Sequence, residues 1–440
     1  MKRRLQYLSR IPFVRDVATM QAGSAVAIGL NLLSSILYTR FLGPVGYGVY
    51  AVVLAFTGTF SIAVNWGQGS SATTFFAEQY GKKDVKGMAG VLSYFLIMTV
   101  GMAALLLILI AFSPAIAEAL YHDASIGRIA RISFLIILLS AAPTVFFAIL
   151  QTVREIRTLA VLEQGSAFTA LLLSALFLLG GGGVAGVLLA QALVNLLQIP
   201  LFLFLYGRLR QRYVLPGFRD IIHPSLTHFR EYFVQGLWIG LDKNIGNLYP
   251  NVLFFVMSVA VSPAMVGLAR ISFTVSNVPR RVLLAPANQL ATTVLPTVSA
   301  RGNRVLRQTC VRLLKHALLF HALLSFGAAA VLPFAIHLFY GAAFDGAIVP
   351  AIWLTLIGIL AALNVNNTPL LRLLRKTWLS TVWSATTILI ACGAQWMLLS
   401  FLPPLTAFVA AAGLTFVLNQ GITAYVYFRL LAAKGEELES

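Results

Sequence analysis

Apolar residues in this chain come in runs too long and too numerous for a fold surrounded by water. A helical bilayer crossing takes about 20 predominantly apolar residues. Twelve stretches meet that length: 17–39, 46–67, 88–112, 129–151, 159–180, 184–206, 232–258, 264–294, 314–337, 346–370, 378–400 and 406–429. Inside lipid no water can satisfy a backbone N–H or C=O, so only helices and closed barrels cross. Runs of this length select the helix. Composition agrees: 59% of residues are hydrophobic and 10% charged, where soluble domains carry about 25% charged residues. The sequence therefore predicts an all-α polytopic membrane protein of about twelve transmembrane helices.

The formal net charge is +18, from 32 Lys and Arg against 14 Asp and Glu. In a soluble protein that excess would suggest nucleic acid. Here the basic residues sit between apolar runs, where they set topology and attract anionic lipid, and no nucleic-acid partner is expected. They also alternate. Lys2, Arg3 and Arg4 precede the first run, and the even-numbered connections carry clusters such as Lys82-Lys83, Arg208-Arg210-Arg212, Arg301-Arg304-Arg307 and Arg372-Arg375-Lys376. The odd-numbered connections hold only Arg40 and Arg128, with Arg131 just inside the next run. Basic loops stay cytoplasmic, so the pattern predicts a multi-pass protein of the cell (inner or plasma) membrane with both termini cytoplasmic. The basic N-terminus and the long first run predict a start-transfer helix that is retained.

The chain repeats itself at one constant offset of 219 residues. Gly43-Pro44 through Gly48 matches Ser262-Pro263 through Gly267, Lys82 falls on Arg301, Tyr121 and Gly127 fall on Tyr340 and Gly346, and Arg157-Thr158 falls on Lys376-Thr377. Six spans per half is an even number, so both halves enter the membrane in the same sense. The predicted organisation is a six-helix bundle over 1–206, a cytoplasmic linker over 207–231 and a second six-helix bundle over 232–440. Transporters built from such repeats place their substrate site between the halves near mid-membrane.

Polar chemistry concentrates in few spans, and an ionisable group at membrane depth is a functional candidate by default. The seventh span holds Asp242 and Lys243, with Asn247 and Asn251 at four-residue steps. The eighth holds Arg270, Arg280 and Arg281, and on a straight helix Arg270, Thr274, Asn277, Arg281 and Asn288 share one face. Pro279 and Pro286 interrupt that helix and free backbone carbonyls. Arg280 lies off the stripe and has snorkelling as its alternative. Asp242 and Lys243 have helix registry as theirs. In the first half the corresponding stripes are uncharged: Ser24, Asn31, Ser35 and Tyr38, then Thr57, Ser61, Asn65 and Gln68. These have interhelical hydrogen bonding as an alternative. The expected site is a net-positive, water-filled cavity lined by spans one, two, seven and eight. Other spans show no comparable stripe, apart from Asn364, Asn366 and Asn367 in the tenth. His223, His228, His316 and His321 are placed in or beside interior loops. No phosphate-binding loop of the G-x-x-x-x-G-K-[ST] type, metal-ligand spacing or nucleophile–base pair occurs, so neither a cofactor nor enzymatic chemistry is expected. The Gly181–Gly186 run reads as a tight turn.

The segment Tyr38-Thr39-Arg40-Phe41-Leu42-Gly43-Pro44-Val45-Gly46-Tyr47-Gly48 resembles the first exterior turn of polysaccharide flippases. So do the polar second span, the Tyr80–Lys86 loop and Asp242-Lys243 in the seventh span. These flippases belong to the multidrug/oligosaccharidyl-lipid/polysaccharide exporter (MOP) superfamily, and the likeness runs in order along nearly the whole chain. It implies two pseudo-symmetric six-helix bundles forming a V around a central cavity. It also implies translocation of a lipid-linked oligosaccharide of the O-antigen or exopolysaccharide type, on undecaprenyl pyrophosphate, from the cytoplasmic to the outer leaflet. Coupling to an ion gradient or to the membrane potential would come with it. On this reading Arg270 and Arg281 hold the anionic head group with Lys243 assisting, Arg280, Asp242 and Asn247 stand close by, and Asn31 and Asn65 offer hydrogen bonds to sugar hydroxyls. The alternative is an ion-coupled exporter of drugs or small metabolites from the same superfamily.

Overall fold

The computed structural model describes residues 12–64, 68–222, 229–299, 302–373 and 376–436. Among them every regular element is a helix. In chain order these are α1 (Pro12–Phe60), α2 (Gln68–Gly81), α3 (Val85–Tyr121), α4 (Ala124–Leu139), α5 (Ala141–Thr152), α6 (Ile156–Leu179), α7 (Gly183–Arg212) and the short α8 (Phe218–Ile222). Then follow α9 (Phe229–Ala260), α10 (Pro263–Ser276), α11 (Ala285–Ser299), α12 (Asn303–Ala335), α13 (Ile348–Ile357), α14 (Asn367–Leu373), α15 (Thr377–Leu398) and α16 (Pro404–Glu436).

Nine helical stretches among the described residues are long and apolar enough to cross a bilayer. One of them, Gln21–Phe60, contains two of the expected spans. It is broken at Gly43, whose φ of 65° and ψ of −178° lie outside any helix, and Pro44 starts the helix that follows. Two more expected spans fall in α9 and in the stretch α10–α11, whose polar residues lower their hydropathy. Helix starts follow from their caps. Asp84 Oδ1 accepts from Gly87 N at 3.0 Å to begin α3, and Asp123 Oδ1 accepts from Ser125 N at 2.8 Å to begin α4.

The chain divides into two compact units, Met1–Phe41 with Phe56–Asn244, and Leu42–Ala55 with Ile245–Ser440. The core of the first unit gathers Phe75, Phe76, Met88, Phe95, Phe146, Leu150 and Phe202, all nearly inaccessible. The Phe146 and Phe202 rings stack with centroids 4.5 Å apart. The described part of the expected linker docks onto this core. Tyr206 Oη donates to the Pro216 carbonyl at 2.9 Å, and Ser93 Oγ donates to the Ile221 carbonyl at 2.5 Å.

In the second unit, Phe254 stacks on Phe408 at 5.0 Å and meets Phe273 edge-on at 5.6 Å. The same unit holds the tightest backbone contact that bears on the repeat. A Cβ placed on Gly48 would collide with the Pro263 carbonyl, and one placed on Gly267 would lie 3.1 Å from Gly48 Cα. Gly48 and Gly267 are 219 residues apart, so a residue and its repeat counterpart meet face to face. Two like segments touch at equivalent points when a pseudo-two-fold axis passes between them.

Gly48→Ala is expected to force these backbones apart and cost about 1–3 kcal/mol, read as a lowered Tm of the purified protein. A Gly48→Ala protein as heat-resistant as the parent would remove the close approach. The Asp123 cap carries a pH dependence. Hydrogen bonds from Ser125 hold its carboxyl below the ordinary carboxylate range. Its contribution is therefore present at neutral pH and above the unfolded-state pKa, and is lost as pH falls through the depressed folded-state value. Asp123→Ala should lower Tm at pH 7 by the equivalent of about 1 kcal/mol, and the gap should close on acidification to roughly pH 2.

Candidate functional site

Two proline-broken helical stretches of the second unit face each other, one eased by a π-turn of its own backbone and the other by a polar side chain. Pro286 has no N–H to give to the carbonyl of Val282. Just before it, residues Arg280–Leu284 open into a π-turn, in which the Ala285 N–H reaches back to the Arg280 carbonyl. Pro369 likewise leaves the Val365 carbonyl without its helical donor, and Asn288 Nδ2 donates to that oxygen at 3.3 Å. Upstream, Gly358–Asn364 winds as a 3₁₀-helix between α13 and α14. His321 Nε2 contacts the Gly358 carbonyl at 3.3 Å, the geometry of the Nε2–H tautomer, and Gln420 Nε2 donates to the Leu360 carbonyl at 3.2 Å. Irregular backbone at membrane depth persists only where protein or a wet cavity satisfies it.

A cavity of about 430 Å³ opens between these breaks. Arg280, Arg281 and Asn288 line it from the stretch around the π-turn, Asn364, Asn367 and Thr368 from the broken stretch around α14, Ser380, Trp383 and Ser384 from α15, and Asn419 from α16. Among the described residues no carboxylate lines it. Neither Arg280 nor Arg281 has an ion-pair partner among the described residues. A relay fixes one wall: Asn367 Nδ2 donates to Thr423 Oγ1 at 2.9 Å, which donates to Asn364 Oδ1 at 2.5 Å. The Asn367 carbonyl oxygen Oδ1 is buried and has no partner.

Arg280 and Arg281 thus lie together. A straight-helix reading put Arg280 off the stripe, but the π-turn begins at this residue and changes the register, so both guanidinium groups line one cavity. Arg270 does not line it. Its guanidinium lies over the Phe254 ring, 4.9 Å from the centroid. Thr274 and Asn277 bond to carbonyls of their own helix, at Arg270 and Phe273. Asn31 is exposed and donates to the Ala27 carbonyl at 2.8 Å. Asn65 lies outside the described residues, and the side chains of Asp242, Lys243 and Asn247 on α9 do too. In the first unit, two members of the uncharged stripes join helices: Tyr38 Oη to Ser174 Oγ at 3.1 Å, and Thr57 Oγ1 to Ser133 Oγ at 2.9 Å.

Two sequence-based expectations need correction. His321 is not in or beside a loop. It is 1% exposed, inside α12, because it serves the Gly358 carbonyl. The eleventh and twelfth spans were expected to carry no polar face, yet they supply Ser380, Trp383, Ser384 and Asn419. The signal was available: Ser380 and Ser384 stand at i and i+4 around Trp383 on one helical face.

A family profile described as polysaccharide biosynthesis protein matches residues 13–301, well over half of the chain. The chain belongs to the polysaccharide biosynthesis protein family. No protein of curated function matches it in sequence. Among solved structures, this family member is similar to an inward-facing conformation of a multidrug resistance MATE family transporter of the MOP superfamily, with a TM-score of 0.79 at 16% identity over 92% of this chain and 95% of that one. An outward-facing conformation of a MATE transporter of the same superfamily gives 0.66 at 17% identity, over 96% of each chain. A MOP superfamily transporter from Pyrococcus furiosus, described as having a binding pocket of reverse polarity, gives 0.68 at 16% identity over 96% of each chain. These likenesses fix the fold as that of the MOP transporters, with two helical bundles. The resemblance read from the sequence holds at the level of family and fold.

Asn288→Ala should leave the Val365 carbonyl unpaired and cost about 1–3 kcal/mol, with Asn288→Gln recovering part of the loss. Thermal unfolding of the detergent-solubilised protein measures both. Equal Tm values for parent and Asn288→Ala would show that the broken helix does not need this donor.

Proposed function

We propose that this chain flips a lipid-linked oligosaccharide, a polysaccharide precursor carried on undecaprenyl pyrophosphate, from the cytoplasmic to the outer leaflet of the cell membrane by alternating access. The observation that carries the reading is the pair Arg280 and Arg281 in a cavity at membrane depth with no carboxylate among the described residues that line it. Two adjacent cations in such a place are costly unless an anion visits. The guanidinium fork matches phosphate oxygens by paired hydrogen bonds, which suits a pyrophosphate head group. Asn288, Asn364 and Asn367 beside them offer hydrogen-bonding partners for sugar hydroxyls. The family supports a polysaccharide-related substrate, and the fold supports transport rather than catalysis.

In this proposal residues 1–206 and 232–440 act as the two bundles, 207–231 joins them, and both termini are cytoplasmic. Arg270, Lys243, Asp242, Asn247, Asn31 and Asn65 would meet the head group or its sugars along the path. An ion gradient or the membrane potential would supply the coupling. The fold also supports the second reading, an exporter of drugs or small metabolites, but a cavity whose described lining holds two arginines and no carboxylate disfavours a cationic drug.

The test is flipping of a fluorescent undecaprenyl-pyrophosphate-linked glycan in proteoliposomes, together with glycan display on cells. Arg281→Ala should reduce flipping by at least about tenfold, the loss of one charge-assisted interaction, and Arg280→Ala/Arg281→Ala should abolish it. Normal flipping and display by the double variant at normal protein level would remove the anion site.

A further inference from the structure

The cavity is lined by two aromatic side chains that the anion argument does not use, Phe416 and Trp383, and the environment of Trp383 is built to hold it still. Trp383 Nε1 donates to the Leu418 carbonyl at 3.1 Å, so the only polar atom of the indole is already engaged. Behind the ring lies Gly421. A Cβ at position 421 would collide with the six-membered ring and stand 2.9 Å from its Cη2 atom. Any side chain there would displace the indole, so glycine is what lets the ring lie where it does. The π-surface is all that the indole has left to offer a ligand. Around it stand the amides of Asn364, Asn367 and Asn419 and the hydroxyls of Thr368, Ser380 and Ser384. The buried, unpartnered Asn367 Oδ1 is a spare acceptor on the same wall.

A fixed aromatic face surrounded by amides and hydroxyls, next to two arginines, is complementary to a ligand with three features. It carries negative charge, it has an apolar C–H face, and it has a hydroxyl-bearing edge. A pyranose attached to phosphate has all three. The volume limits how much of the glycan enters. Ligand pockets run from about 300 to 1,000 Å³, and 430 Å³ is near the lower end. That is room for phosphate and one sugar, and not for a whole oligosaccharide.

Building on the head-group reading above, we propose that this cavity reads the sugar bonded directly to phosphate, with the Trp383 ring as its stacking face and Gly421 as the positioning residue that seats the ring. Sugars further along the glycan lie outside the cavity and go unread. Selectivity then resides at the phosphate-linked sugar and is indifferent to glycan length.

Calorimetric binding to the full-length protein in nanodiscs separates the parts. The probes are inorganic pyrophosphate and three sugar phosphates: glucose 1-phosphate, galactose 1-phosphate and N-acetylglucosamine 1-phosphate. The parent should bind pyrophosphate and at least one of the sugar phosphates. Trp383→Ala should weaken that sugar phosphate by about tenfold, the worth of an aromatic contact, and leave pyrophosphate unchanged. Trp383→Phe should restore most of the loss, and Gly421→Ala should reproduce the Trp383→Ala pattern. Arg281→Ala should weaken both classes of probe. If Trp383→Ala binds every probe as the parent does, or loses pyrophosphate and sugar phosphate equally, the stacking proposal fails while the anion site stands. If the parent binds none of the probes, the head-group reading fails with it.

Discussion

Absence of water inside the bilayer governs this structure more than any single contact. A backbone carbonyl that a proline frees must find a donor from the protein or from a wet cavity, because none will come from lipid. The second unit shows the consequence. Pro369 frees the Val365 carbonyl and Asn288 supplies the donor; the 3₁₀ stretch from Gly358 loosens two more carbonyls, and His321 and Gln420 reach them. Polar side chains on three different helices are thereby committed to one broken helix. Once they are drawn inward, the space beside them is polar, and a polar space at membrane depth is where a hydrophilic head group can be accommodated. The site is in this sense a product of the repair.

Much of the fold was legible because topology follows from rules that act over long stretches. Run length located the apolar helices. The offset of 219 residues pairs Gly48 with Gly267, and the structure brings the two together, where glycine at both positions permits the approach. Gly43 and Ser262, each followed by Pro, open equivalent helices for the same reason: proline is well tolerated at the first helical position. Such signals survive because each depends on one or two residues and not on exact side-chain direction.

The candidate site was less legible because it depends on helical phase. A stripe drawn at 3.6 residues per turn joins Arg270 to Arg281 and leaves Arg280 aside. The π-turn starting at Arg280 changes the phase there, so Arg280 joins Arg281 while Arg270, more than two turns earlier, rests on Phe254. Pro286 was visible in the sequence, but whether a proline kinks a helix, widens it or ends it is decided by what packs around it. His321 misled for a related reason. It stands close enough to a basic loop in sequence to suggest a surface position, and only the carbonyl of Gly358, on another helix, explains its burial. Trp383 belongs to the same class: one aromatic in an apolar span looks like lipid-facing bulk until the glycine behind it comes into view.

The two units handle polarity in different ways, and the difference bears on which one could discriminate a ligand. In the first unit Tyr38 and Thr57 of the stripes pair across helices with Ser174 and Ser133, and Asn31 and Ser61 bond to their own helix, while Ser35 Oγ is buried without a partner. Such pairs add little net stability in a membrane, about 0.6 kcal/mol on average in one well-measured case, and the atoms they engage are uncharged. In the second unit the polar atoms are not used up. Arg280 and Arg281 find no carboxylate among the described residues, and Asn367 keeps an acceptor without a donor. Unused hydrogen-bonding capacity of a buried atom such as Asn367 Oδ1 destabilises the empty protein, and the exposed Arg280 and Arg281 beside it add positive charge that an anion can meet. Discrimination follows from the same asymmetry: a head group that satisfies these atoms is favoured over one that leaves them bare by more than a neutral, fully paired cavity could achieve.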